Sequence, residues 1–253
     1  MCSCLLIVFN LLLFIHFYSW PQRGDTLKHL STLLWLLLLI VSSPSSGRLD
    51  HFFSDAFYQK FSATYGDDAH ERAKKWRNIM VDNQFDSDWH KIKKVNYFFN
   101  KTITYQNDLA LWGKKDYWAS PAETIGRGKG DCEDFAIAKY FSLTSLGVNE
   151  NKLRLMYVRQ LSLNQPHMVL IYFENPKDIP FVLDNYNHKV LPASKRRDLK
   201  PIYSFNAQGL WMAKAKGLGR KVNNSRGVSA WDNLVQRIEE NNMHTLASVN
   251  KVQ

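Results

Sequence analysis

Cysteine is scarce in this chain. There are 3 among 253 residues, and Cys2 and Cys4 both fall in an apolar N-terminal segment, which leaves Cys132 alone in the remainder. A single thiol cannot close an internal disulfide, and it is too few for a structural zinc site. Long apolar runs are also missing: residues 4–20 are marginal against the roughly 20 residues a spanning helix needs, and the run from Leu33 to Val41 is shorter still. No internal repeat and no long linker interrupts residues 49–253, which are enough for one domain with a sizeable core. Acidic residues nearly vanish from 186–226, where Asp198 stands against ten basic residues, in a chain of net charge +10. Such a block can form one rim of a cleft and attract an acidic partner, or simply solubilise a surface. It lacks the aromatic interleaving of a nucleic-acid site, so nucleic acid is not an expected partner.

The N-terminus reads as an export signal. Arg23 and Lys28 lead into the apolar run, and Ser-Ser-Pro-Ser-Ser-Gly follows at 42–47, without a clean Ala-x-Ala site. The expectation is a signal or membrane segment over 1–48, a catalytic domain over 49–253, and a periplasmic location, with inner-membrane anchoring as the alternative. The sequons at Asn100 and Asn223 are read as chance matches.

What is present is concentrated at Gly-Lys-Gly-Asp-Cys-Glu-Asp, residues 128–134. Gly128 and Gly130 permit a tight turn, Asp131 is a good N-cap, and Asp134 stands three residues on as in a capping box. Phe135 to Ala138 open an apolar helix running to Gly147. Cys132 then lies in the first turn, where free N–H groups and the helix dipole favour a thiolate. The carboxylates of Asp131, Glu133 and Asp134 oppose that unless a cation neutralises them or they face away. A solvated acidic helix start is the simpler reading of the three acids.

A nucleophilic cysteine needs a base, and the base an orienter. His167 heads the run His-Met-Val-Leu-Ile-Tyr-Phe and Asp184 ends Phe-Val-Leu-Asp, both strand-like, with turn formers at 174–180 between them. A hairpin closing near 175 and 176 sets His167 opposite or nearly opposite Asp184 on one face, at about 5 Å between Cβ atoms. In that reading Asp184 takes the Nδ1 proton and leaves Nε2 for the thiol.

The order Cys132, His167, Asp184, with Trp-Ala-Ser-Pro-Ala-Glu-Thr at 118–124, Leu-Arg-Leu-Met-Tyr-Val, His-Met-Val-Leu and Val-Leu-Asp-Asn, resembles the bacterial transglutaminase-like cysteine peptidases. The likeness is to their LapG-type branch of periplasmic, adhesin-releasing proteases and spans roughly residues 50–240. It implies a papain-like, transglutaminase-like fold in which Cys132 is nucleophile, His167 base and Asp184 orienter. It also implies Ca²⁺ as cofactor at Asp131, Glu133 and Asp134, a chemistry suited to several hard oxygen ligands. Its further implications are a large surface adhesin as substrate, cut in its N-terminal region to control biofilm attachment, and sequestration by an inner-membrane cyclic di-GMP receptor. The same three residues also suit transglutaminase-type acyl transfer to an amine. A non-catalytic calcium-dependent binding module is the remaining alternative.

Periodicity predicts helices over 67–80 and 86–100, the latter with Trp89, Ile92, Val95 and Phe99 on one face. An irregular aromatic segment over 105–118, the Cys132 helix, and strands near 153–159, 167–173 and 180–185 follow. Short strands through Val190 and 202–205 precede a closing helix from Ser229 to about Asn241, with Trp231, Leu234, Val235 and Ile238 inward. The class is α+β, helices first and an antiparallel sheet after. Trp76, Trp89 and Trp112 read as packing residues. Cys132 N–H is the expected oxyanion donor, with a second from Trp118 or the segment before Gly126.

Overall fold

The computed structural model describes residues 53–213, 219–222 and 229–249, with side chains to residue 240. The expected export segment and the domain boundary at residue 48 lie outside the described residues. Three helices lead: α1 (Asp55–Tyr65), α2 (Asp67–Asp82) and α3 (Asp88–Thr102). Each starts for a local reason. Ser54 accepts from Phe57 N–H at 3.3 Å, acidic Asp67 and Asp68 complement the dipole of α2, and Ser87 accepts from His90 N–H at 3.4 Å. The buried stripe of α2 is Ala69, Ala73, Trp76 and Met80, at helical spacing. On α3, Ile92, Val95 and Phe99 are buried as expected, while Trp89 sits at the margin, 37% exposed, with its ring against Phe181.

A parallel pair, β1 (Thr104–Tyr105) and β2 (Lys129–Gly130), brackets two short helices, α4 (Asp108–Trp112) and α5 (Pro121–Arg127). Neither helix was expected in the aromatic segment. Their start signals are nonetheless local: Asn107 accepts from Ala110 N–H, and Ser120 with Glu123 forms a reciprocal capping box.

Next comes α6 (Cys132–Ser145), whose residues 134–140 are all buried. It is enclosed because it packs on the sheet and also against α3 and α5. Gly147, at φ 82°, ends it with Val148 N–H returning to Leu143 C=O, as a helix-terminating glycine does.

The rest is an antiparallel sheet of β3 (Leu153–Gln160), β4 (Gln165–Tyr172), β5 (Phe181–Leu183), β6 (Leu191–Pro192), β7 (Leu199–Asn206), β8 (Gly209–Met212) and β9 (Arg220–Lys221). Their spatial order is β6-β5-β4-β3-β7-β8-β9. Met168, Leu170 and Tyr172 join the main core beneath α6, while Val169, Ile171 and Phe173 join a smaller cluster with Val158 and Val182. Burial on both faces explains why β4 reads as a continuous apolar run. Helix α7 (Ser229–Val249) closes the described chain and runs further than expected, with Trp231 and Leu234 buried. The class is α+β. Among the described residues no helix is long and apolar enough to cross a membrane.

Gly130 is required by space. A Cβ there would meet Asp134 Cβ at 2.7 Å and its Oδ2 at 2.8 Å. Gly130→Ala is therefore expected to lower stability by about 1–3 kcal/mol, the usual cost of overpacking, measured by denaturant unfolding with and without calcium.

Candidate active site

The turn before α6 delivers Cys132. Gly128, at φ 64°, ends α5 in the left-handed region, Lys129–Gly130 pairs with Thr104–Tyr105, and Asp131 becomes the N-cap. The capping carboxylate of Asp134 accepts from the N–H groups of Asp131 at 3.2 Å and Ala119 at 2.8 Å, which ties the turn to the Trp118 segment. Cys132 is partly exposed, and its thiol donates to Glu133 Oε2 at 2.9 Å rather than to His167. Burial, then the charges of Glu133 and Asp131, push the thiol well above its ordinary range, against a backbone hydrogen bond from Met168. The helix-start stabilisation expected for the thiolate is thus outweighed by burial and then by the surrounding acids.

Met168 follows His167 on β4, so the thiol lies beside the strand that carries the histidine. His167 is buried at 8% exposure, and its Nε2 donates to Asp184 Oδ1 at 2.8 Å. This corrects the expected use of the ring. Asp184 takes Nε2, so Nδ1 is the nitrogen left for the thiol.

The hairpin register is also corrected. Leu170 pairs with Leu183 and Ile171 with Val182, so the turn is centred one residue later than expected, and Asp184, just past the end of β5, continues a register that runs toward Val169 rather than His167. A shift of two in pairing keeps the face, because side chains alternate with period two. His167 therefore reaches Asp184 diagonally. Asp184 is 1% exposed. Burial alone would raise its carboxyl, but hydrogen bonds from His167, Tyr186 N–H and Arg196 prevail and hold it well below the usual carboxylate range. Asn100 donates to the Asp184 carbonyl at 2.7 Å and accepts from Lys139 at 2.7 Å. Its amide is thereby committed to Asp184 and Lys139.

The acids form a larger group than the three expected. Asp108, Asp131 and Asp134 offer oxygens within 4.8 Å of one another, and so do Asp108, Asp116 and Glu133. A third group joins Asp131 and Glu133 through Cys132, whereas among the described residues no such cluster joins Glu133 to Asp134. Asp108 links the first two groups. Burial raises Asp108 to about 6 and Asp134 to about 8, each opposed by backbone N–H bonds and assisted by neighbouring carboxylates. Asp131 is raised as well, by burial and then by Glu133. One oxygen each of Asp108 and Asp131 is buried without a hydrogen-bond partner. Hard oxygen donors, concentrated negative charge and orphaned oxygens together suit a calcium ion.

Sequence reasoning missed Asp108, Asp116 and Arg196. Asp108 follows Asn107 at a cap, which gives a local signal for a helix start but none for its neighbours across the chain. Arg196 was counted in the basic block, yet it is 3% exposed and bonds Asp184 Oδ2 at 2.6 Å.

Residues 54–211 match the family described as bacterial transglutaminase-like cysteine proteinase, BTLCP. Calcium-bound LapG of Legionella pneumophila is 42% identical, with 74% of this chain and 99% of that one covered and a TM-score of 0.63. The EGTA-treated form of the same protein is also 42% identical, covering 73% and 97%, with a TM-score of 0.63. No curated protein matches the chain.

Carboxyls raised by folding bind protons in the native state that the unfolded chain has already released. Without metal, stability is therefore expected to fall as pH rises from about 4 toward about 8. Calcium at a hundredfold excess over its dissociation constant should return about 2.7 kcal/mol, or roughly 5–10 °C of Tm. The gain should be larger at pH 8 than at pH 5, and smaller in Asp108→Asn, as read by thermal unfolding in calcium and in EGTA.

Proposed function

The chain belongs to the bacterial transglutaminase-like cysteine proteinases and is a cysteine protease, and from that premise we propose a calcium-dependent endopeptidase with Cys132 as nucleophile, His167 as general base and Asp184 as orienter. The observation that carries the reading is the buried 2.8 Å hydrogen bond between His167 Nε2 and Asp184, on the strand whose next residue bonds the thiol.

In this mechanism Asp184 fixes the tautomer with the proton on Nε2. Cys132 passes its proton to Nδ1, and the thiolate sulfur attacks the scissile carbonyl carbon. The developing oxyanion faces the N–H of Cys132 at the start of α6. Imidazolium then returns the proton to the departing amine, leaving a thioester on Cys132. Water, deprotonated by Nδ1, attacks the thioester, and the acid and the free thiol are released. The fit of the acids supports Asp108, Asp131, Glu133 and Asp134 as the residues that would hold calcium, with Asp116 at the margin. Bound there, the cation would offset the negative charge that keeps the thiol protonated.

The family acts on protein. The finer reading is the one its LapG-type branch implies: export to the periplasm, a cut in the N-terminal region of a large surface adhesin that controls biofilm attachment, and sequestration by an inner-membrane cyclic di-GMP receptor. The calcium-bound relative supports the metal, and the likeness in sequence supports the branch.

Cys132→Ala is expected to abolish cleavage. Asp184→Asn should lower kcat by about 10⁴-fold, as when a triad loses the correct histidine tautomer. Both are read by cleavage of a recombinant adhesin N-terminal fragment in calcium. An Asp184→Asn variant with the wild-type rate would overturn the orienter.

A further inference from the structure

In the run Lys195-Arg196-Arg197, the outer two side chains are exposed and the middle one is buried. Arg196 ends the 3-10 turn Ala193–Lys195 that joins β6 to β7, and its side chain is 1% exposed. Its guanidinium is divided between two carboxylates. Nε donates to Asp198 Oδ1 at 2.9 Å and Nη2 to Asp198 Oδ2 at 2.7 Å, a two-point brace, while Nη2 also donates to Asp184 Oδ2 at 2.6 Å. A planar fork suits this bridging, whereas an ammonium on a flexible stem does not.

For Asp184 the result is a filled carboxylate. Oδ1 accepts from His167 Nε2 and from Tyr186 N–H at 2.9 Å, and Oδ2 accepts from Arg196. Bonds at both oxygens, from three directions, leave no rotation about the terminal torsion that would spare all of them. The other groups packed around the pair are Lys139 of α6, which faces Asp184 from behind Asn100, and Asp198, whose side chain is 35% exposed. Arg196 is thus the one cation among the described residues with a direct ion pair to the Asp184 carboxylate other than His167 itself.

We propose that Arg196 is a positioning residue for catalysis: braced on Asp198, it fixes the plane of the Asp184 carboxylate and thereby the imidazole that serves Cys132. The inference rests on the reading of Asp184 as the orienter of His167. Arg196 acts through Asp184 and touches neither the thiol nor substrate, so its loss lowers kcat and leaves KM unchanged.

The test compares wild type, Arg196→Met, Arg196→Lys, Asp198→Asn, Asp184→Asn and the Arg196→Met/Asp184→Asn double variant in saturating calcium. The substrate is a fluorogenic peptide chosen from a random endopeptidase library by cleavage with the wild-type protein, and folding is checked by near-ultraviolet circular dichroism. Arg196→Met is expected to lose about 10–100-fold in kcat, the scale of lost outer partners of a reacting group, with KM within about twofold. Arg196→Lys should recover part of that loss. The double variant should be no slower than Asp184→Asn, because the two changes disable one unit. A folded Arg196→Met with wild-type kcat, a loss confined to KM, or a double variant slowed by the product of the single effects would each overturn the proposal. If Arg196→Met does not fold, Arg196→Lys and Asp198→Asn decide: lowered kcat at constant KM in either supports it, and any other result overturns it. An Asp184→Asn enzyme at the wild-type rate would remove the orienter and this inference with it, whereas a slow Asp184→Asn beside a fast Arg196→Met refutes the role of Arg196 alone.

Discussion

Negative charge crowded around one thiol is the constraint on which the rest of this structure depends. Asp131, Glu133 and Asp134 follow one another at the start of α6, and the chain brings Asp108 against them from α4. Helix starts favour anions, but a first turn offers only a few free N–H groups, and Asp134 already takes two nearby backbone donors. The remaining carboxylate charge is left partly buried without a partner, and such charge is costly unless it is protonated or paired. The thiol feels the same field and stays protonated on Glu133. Thiol and acidic cluster are therefore one electrostatic unit, and a divalent cation is what would change the state of both.

On the other side of the thiol the buried carboxylate finds its donors among the described residues. Asp184 is buried deeply, yet its carboxylate meets His167, the N–H of Tyr186 and Arg196, while Lys139 donates to Asn100, whose amide bonds the Asp184 carbonyl. Buried carboxylates of this kind stay ionised only when donors fill their oxygens. The contrast between the two halves of the site is informative: a self-sufficient His–Asp pair stands next to an acidic cluster that is short of positive charge. Under the proposed mechanism, such a division would let a bound cation act on the thiol without disturbing the His167–Asp184 pair.

Much of this was legible in the sequence where the signal was local. The helix at Cys132, its glycine turn and its end at Gly147 follow from caps and an apolar run, as do the strand bearing His167 and the one that Asp184 follows. Short helices within the aromatic segment 105–118 and beyond were missed because five or seven residues show almost no periodicity, even though Asn107 and Ser120 carry cap signals. The hairpin register was off by two because the loop at 174–180 fixes its own turn. Face was preserved, so the pairing of His167 with Asp184 survived while the ring nitrogen did not. Arg196 and Asp108 lay beyond reach for a different reason. A basic residue in a basic block and an acid after an asparagine look like surface, and only the packing of distant segments makes them interior.

The rate of Cys132 alkylation by iodoacetamide across pH, in calcium and in EGTA, tests most directly whether the acids around Cys132 control its protonation. The prediction is a thiol that titrates below the ordinary value of about 8.5 in calcium and above it in EGTA. One unchanged titration in both conditions would contradict it, since the carboxylates would then be either already neutralised or too remote from the sulfur to matter.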